Sequence, residues 1–114
     1  MPFINVKTNI GVSKDKEEQV KQRLGKAIEF IPGKSEEWLM VAIEENIPLY
    51  FKGRIDLPVA FVEVKIFGST TEEAYQQETA QITQILKDEL AIASDRIFVA
   101  YMELEHWGWN GNNF

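Results

Sequence analysis

Proline at position 2 is the residue of this sequence with the most unusual chemical potential. A methionine before a small residue such as proline is commonly removed after synthesis, which leaves the proline with a secondary amine instead of an amide. An α-amino group titrates at about 7.7–8.0, and burial among apolar groups lowers the pKa of such a base. Pro2 could then be a neutral general base near pH 7. If Met1 is retained, the nitrogen is a tertiary amide and cannot be a base, and a proline at this position also occurs by chance.

Few other side chains stand out for their chemistry. The chain has 0 Cys and 1 His, which excludes a thiol nucleophile and a thiolate metal site, and His106 alone cannot anchor a metal. Lys34 follows a Pro-Gly pair, where a lysine is usually solvated. The carboxyl-terminal stretch HWGWNGNNF is dense in aromatic residues, which most often close a core or an interface.

The composition predicts a soluble domain. The 114 residues include 45% hydrophobic and 26% charged residues, as in an ordinary globular protein. A net charge of −6 without any basic run argues against a nucleic-acid surface. No apolar stretch approaches the ~20 residues that span a bilayer, and no signal peptide is recognisable. We therefore expect a cytoplasmic protein without nucleic-acid or membrane partners, with release by a non-classical route left open.

The elements that would position these residues begin with one strand–helix–strand unit. Residues 3–9 alternate as in a strand. Ser13 and the acidic residues after it mark a helix start, and apolar residues at helical spacing continue to Ile31, before a Pro-Gly stop. The stretch 36–45 is expected to be the next strand.

A second unit of the same kind follows a turn-rich stretch. Residues 59–67 predict a strand, 68–90 a helix, and 95–104 a final long strand. Thr70 and Glu73 have the spacing of a capping box. This repeat of strand, helix and strand indicates two βαβ units.

The predicted fold is therefore of the α/β (α+β) class. A single domain over residues 1–114 would contain the two units, at about 2–50 and 59–105, in one four-stranded mixed sheet with both helices on one face. The strand at 59–67 is nevertheless apolar on both faces. Since two helices cover only one face, a partner subunit is the economical cover for the other.

Several separate stretches of the sequence form a recognisable combination: the initial MP, the GK before a strand, IFGST at the end of the third strand, and SDRIFVAY followed by WGWNGNNF. Together they resemble the macrophage migration inhibitory factor (MIF) family of the tautomerase superfamily. The resemblance spans the whole chain and agrees with its length and element order. It implies a homotrimer with pockets at the subunit boundaries, and a keto–enol tautomerase in which Pro2 moves the proton.

The resemblance also implies roles for residues around Pro2. Lys34 matches the lysine that holds the substrate carboxylate, and Phe67 the residue whose backbone N–H assists. Trp109 and Phe114 match the wall of the pocket, and Trp38 stands where a family tyrosine lines its entrance.

Two positions depart from the vertebrate pattern. Phe98 and Ala100 replace a tyrosine and an asparagine that the neighbouring subunit offers there, so polar help at the distal end of the substrate is lost. The vertebrate Cys-x-x-Cys is absent as well, and no thiol redox activity is expected.

The reaction that this resemblance predicts is a 1,3-proton shift on an aryl or alkyl 2-oxo acid or an aromatic enol, of the phenylpyruvate or dopachrome type. Such a reaction requires no metal or organic cofactor. A cytokine-like protein that binds a receptor, with incidental activity, is the alternative. Decarboxylation or dehalogenation is a third possibility, and would call for arginines in the pocket.

Overall fold

The computed structural model describes residues 1–114 and contains one four-stranded sheet with two helices on one of its faces. No helix in it combines the length and the apolar character needed to cross a membrane. The elements in chain order are β1 Pro2–Thr8, α1 Lys14–Ala27, β2 Met40–Glu44, β3 Ala60–Phe67, α2 Glu72–Leu90, β4 Ile97–Leu104, β5 Gly108–Trp109 and β6 Asn112–Asn113.

The sheet has the strand order β2-β1-β3-β4. The pairs β1–β2 and β3–β4 are parallel, and β1–β3 is antiparallel, so two βαβ units join through their first strands. In this register Pro2 lies opposite Ile66 and Phe3 lies opposite Lys65. The mixed sheet with both helices on one face is the predicted architecture, and the structure confirms it.

The helix starts follow local side-chain chemistry. The Ser13 hydroxyl accepts a hydrogen bond from the Lys16 N–H, as expected for the first helix. In α2 the predicted capping box is wrong by one residue, because Thr71 and not Thr70 caps the helix. The extended backbone of Thr71 lets its hydroxyl accept from the Ala74 N–H at 3.1 Å.

Two predicted strands begin later than the sequence pattern indicated. Residues Glu36–Trp38 form a 3₁₀ turn, so β2 begins at Met40 and the predicted strand at 36–45 is wrong over its first residues. A second 3₁₀ turn, Ser94–Arg96, shortens the predicted strand 95–104 in the same way. These turns satisfy their own backbone groups, for example through the bond from the Leu39 N–H to the Glu36 carbonyl.

The core lies between the helices and the sheet. The even-numbered residues of β1, together with Val62, Val64 and Ile66 of β3, face the helices and are buried. The apolar stripes predicted for the two helices face them. Sixteen buried hydrophobic residues form this one cluster.

Glu78 is the exception in this core. Its side chain is 0% exposed, and neither carboxylate oxygen has a hydrogen-bond partner. It lies one turn after Ala74 and one turn before Ile82 on the buried stripe of α2. Burial raises the pKa of Glu78 to about 8, because the charged form loses its hydration and gains no partner.

The other face of the sheet carries no element of this chain. Its exposed apolar side chains come from three strands, and the largest are Met40, Phe61, Phe98 and Met102. Phe61 and Phe67 lie on this face of β3 as predicted, but Glu63 and Lys65 lie between them, so the prediction of a wholly apolar second face is wrong for the middle of the strand. An ion pair of 3.0 Å between Lys7 and Glu63 lies among these side chains.

Candidate active site

The amino-terminal end of β1 lies within the hydrogen-bonding of the sheet. The Phe67 N–H donates to the Met1 carbonyl at 3.1 Å, which extends the β1–β3 ladder one residue beyond Pro2. Pro2 itself is buried. The chain end is thus a fixed part of the sheet instead of a loose tail.

Lys34 reaches the same place from the loop after α1. Its Nζ donates to the Phe67 carbonyl at 3.0 Å. Burial lowers the pKa of the Met1 α-amino group, and the nearby Lys34 ammonium lowers it further by repulsion. An amine at this end of β1 is therefore easier to deprotonate than a free one.

A hairpin near the carboxyl terminus delivers two aromatic side chains to this end of the sheet. Asn110 and Gly111 have φ values of 54° and 80°, the two consecutive positive angles of a type I′ turn. The turn pairs Trp109 with Asn112, and the Phe114 N–H donates to the Trp107 carbonyl at 3.0 Å. The Asn-Gly pair in the sequence is the local signal for this hairpin.

Four aromatic side chains pack around Met1. The ring centroids of Trp38 and Trp109 are 5.3 Å apart at 89°, and those of Phe67 and Phe114 are 5.5 Å apart. Trp109 and Phe114 are stacked within 5° of parallel at 6.5 Å. With Met1 these four rings line an apolar cavity of about 380 Å³.

A second cavity, of about 740 Å³, adjoins the first and reaches the open face of the sheet. Met1, Trp38 and Trp109 line both cavities. Pro2, Phe3, Lys65 and His106 are among the residues that line only the larger one. Lys65 is not among the predicted site residues, although its place two residues before Phe67 puts both on one face of the strand.

The sequence comparison agrees with this geometry. A sequence model of the family described as macrophage migration inhibitory factor (MIF) matches residues 1–114. The chain belongs to the MIF family. The resemblance based on the amino-terminal, IFGST and carboxyl-terminal stretches is confirmed.

Relatives of the MIF family match over nearly the full chain. The chain is 26% identical to D-dopachrome decarboxylase-B of Xenopus laevis, in an alignment that covers 97% of this chain and 95% of that protein. Its structure is similar to that of Leishmania major MIF2, with a TM-score of 0.92, 29% identity and coverage of 100% and 97% of the two chains. A MIF homologue from Prochlorococcus marinus gives a TM-score of 0.87 at 26% identity, with 98% of each chain covered.

Most of the predicted site residues meet at one end of this MIF-family sheet. Lys34 and Phe67 are hydrogen-bonded to each other, and Trp38, Trp109 and Phe114 form the aromatic cavity beside Pro2. Their roles toward a substrate stay predictions.

Phe98 and Ala100 lie elsewhere in the chain. Phe98 is opposite Phe61, which is five residues, or about 16 Å, along β3 from the partner of Pro2. Phe98 packs edge-on against Phe51 at 5.2 Å and is stacked with Phe61 at 6.3 Å. A single chain thus does not bring these two residues to Pro2, and the prediction assigned them to a neighbouring subunit.

Proposed function

We propose that this MIF-family protein is a keto–enol tautomerase for aromatic 2-oxo acids, with the amine of Pro2 as general base after removal of Met1. The observation that carries the proposal is the environment of Met1. The Met1 carbonyl accepts a hydrogen bond from the Phe67 N–H, and the Met1 amine lies beside the Lys34 ammonium. Aromatic rings surround the Met1 side chain. Removal of Met1 would leave a hydrogen-bond donor, a cation and the Pro2 nitrogen around one apolar space.

The surroundings of the proposed base favour its neutral form near pH 7. Burial and the Lys34 ammonium already lower the pKa of the Met1 amine. Because the Pro2 nitrogen lies one residue further along the same strand, we expect the same two effects on its amine once Met1 is removed. A neutral secondary amine on a fixed strand can accept a proton without first losing one to water.

The proposed reaction moves one proton within the substrate. Pro2 takes the proton from the carbon beside the carbonyl, the C–H electron pair forms the carbon–carbon double bond, and the carbonyl oxygen gains negative charge. The Phe67 N–H and the Lys34 ammonium are donors suited to that charge and to the substrate carboxylate. Pro2 then returns the proton to the oxygen, which gives the enol.

We also propose that the active form is a homotrimer. The apolar side chains on the open face of the sheet support association, since a contiguous apolar face is usually covered by a partner. In such an assembly a neighbouring subunit would bring Phe98 and Ala100 to the site. Neither side chain would offer the substrate a hydrogen bond there.

A second candidate reaction is suggested by the name of the Xenopus laevis relative, a D-dopachrome decarboxylase. Loss of CO₂ leaves an electron pair on the carbon that carried the carboxylate, and an arginine beside that carbon would stabilise it. The three arginines are engaged elsewhere: Arg23 with Asp88 and Glu89, Arg54 with Asp56, and Arg96 with the Pro58 carbonyl. Neither cavity beside Pro2 is lined by an arginine, so tautomerisation is the better supported reaction.

The deciding experiment compares three forms of the protein with defined amino termini, verified by intact-mass spectrometry. These are the form that begins at Pro2, the same form with one extra alanine in front, and Pro2→Gly. Phenylpyruvate tautomerisation should be high only in the first, and should rise with pH through one ionisation below that of a free amine.

The controls separate loss of the base from loss of structure. Circular dichroism and light scattering of the extended form should match those of the Pro2-terminal form. If a folded protein with an extra residue keeps full activity, Pro2 is not the base. A protein that acts only by binding a receptor would show no Pro2-dependent turnover at all, and CO₂ release from a dopachrome-type acid would indicate decarboxylation.

A further inference from the structure

Lys65 is a second cation beside the proposed base, and its charge is unpaired. No carboxylate lies within ion-pair distance of its Nζ, although Lys7, on the same face of the sheet, pairs with Glu63 at 3.0 Å. The only interaction of its Nζ is with the Phe3 ring, 5.8 Å from the centroid. Lys65 is part-buried and lines the larger cavity together with Pro2.

The register of the sheet places Pro2 between Lys34 and Lys65, neither of which forms an ion pair with a carboxylate. Lys34 is bound to the Phe67 carbonyl, and Phe67 pairs at the level of Met1. Lys65 is opposite Phe3, on the other side of Pro2 along the strand. These two levels are two residues, or about 6.6 Å, apart along β3. A short molecule with an anionic group at each end can therefore span the Pro2 nitrogen.

The charge balance around the larger cavity favours an anion near Lys65. Phe3, Met40 and Leu104 line this cavity together with Lys65 and offer it no counter-charge. Glu37 also lines this cavity, but makes no ion pair with Lys65. A partly desolvated cation without a partner gains a charge-assisted hydrogen bond when a carboxylate enters.

We propose that Lys65 selects 2-oxo acids that carry a second carboxylate. The inference rests on the proposed function, since it places the 2-oxo carboxylate at Lys34 and the reacting carbon at Pro2. The second carboxylate then lies at the Lys65 ammonium, in the larger cavity. The ligand class of the larger cavity is a four- or five-carbon 2-oxo dicarboxylate, whereas the ring of an aromatic 2-oxo acid would occupy the smaller cavity lined by aromatic side chains.

The test compares binding of 2-oxoglutarate with that of its distal monomethyl ester, which has the same framework without the second charge. Calorimetry on protein of verified amino terminus should give a preference of about ten- to hundredfold for the diacid. Lys65→Met should reduce this preference to near unity, and Lys65→Arg should largely retain it. Lys7→Met is the matched control on the same face, and should leave the preference unchanged.

Two results would overturn the role of Lys65: equal affinity of the unmodified protein for diacid and ester, or a preference that survives in a folded Lys65→Met variant. Thermal unfolding followed by circular dichroism establishes that the variants are folded. Because calorimetry needs no turnover, a failure of Pro2 as base would leave the binding preference intact. The two proposals can therefore fail separately.

Discussion

Replacing Glu78 with glutamine should change the pH dependence of stability more than any other single substitution in the core. The folded-state pKa of Glu78 is about 8, above its usual value of 4.5, because a fully buried carboxylate has no hydrogen-bond partner. Below about pH 4.5 the group is protonated in both the folded and the unfolded chain, and its titration has no effect on stability. Between 4.5 and 8 only the unfolded chain releases the proton, so stability falls as pH rises.

The size of the effect follows from the two pKa values. Each unit of difference corresponds to 1.36 kcal/mol. The loss between pH 5 and pH 8 is therefore about 3 to 4 kcal/mol. The titratable neighbour on the sheet is Tyr101, whose pKa of about 12 keeps it neutral over this range. The Glu78→Gln variant has no such titration, so its advantage over the unmodified protein should grow by this amount across the same interval.

Urea unfolding of both proteins at several pH values and one fixed protein concentration measures this difference. Glu73→Gln is the matched control, since Glu73 is exposed on the same helix. Its stability should follow that of the unmodified protein. If the curves for Glu78→Gln and the unmodified protein run parallel from pH 5 to pH 8, Glu78 is not a buried neutral acid and the reasoning is wrong.

Three further predictions concern the site, a helix cap and the assembly. Lys34→Ala should weaken binding of carboxylate substrates by about 1.5–3 kcal/mol, measured as an inhibition constant, and should leave the corresponding methyl esters almost unaffected; equal losses would remove Lys34 from the site. Thr71→Ala should lower the free energy of unfolding by about 1 kcal/mol, whereas Thr70→Ala should change it little in the same urea titration. Light scattering should give the mass of three chains, and a stable monomer at micromolar concentration would contradict the trimer.

The sequence predicted those parts of the fold that depend on local periodicity. The alternation in residues 3–9 and the helical spacing of the residues before Ala27 describe the burial of one face, which repeats every two or about 3.6 residues. The predicted helix is wrong over its last residues, because α1 ends at Ala27 and Ile28–Phe30 form a 3₁₀ turn. The break before β2 has no such signal. Trp38 packs against Trp109, which is distant in sequence, and this tertiary contact accompanies a turn where the residue pattern indicated a strand.

Other details were decided by contacts that a single sequence does not show. Thr70 and Thr71 are both able to cap a helix, and only the backbone geometry selects Thr71. Glu78 lies on the apolar stripe of α2 and is buried, but a glutamate in the sequence indicates an exposed position.

The candidate site was predictable where one chain completes it. The family resemblance predicted that Lys34, Phe67 and the carboxyl-terminal aromatic residues lie near the end of β1, and the structure places them there. The proposed role of Lys65 depends on the absence of a carboxylate within ion-pair distance of its ammonium. Such an absence is visible only when the packing of the sheet is known.

The hydrogen bond between the Phe67 N–H and the Met1 carbonyl bears on when Met1 could be removed from the chain. β1 is a central strand, and its partner β3 is synthesised much later in the chain. For translation that begins at Met1, the interval between the exposure of Met1 and the exposure of Phe67 at the ribosome surface is roughly 3 to 13 s at 5–20 residues per second. During this interval an aminopeptidase has free access to the terminus. Once β3 pairs, the terminus is held in the sheet, so the proposed removal of Met1 would have to compete with folding during synthesis.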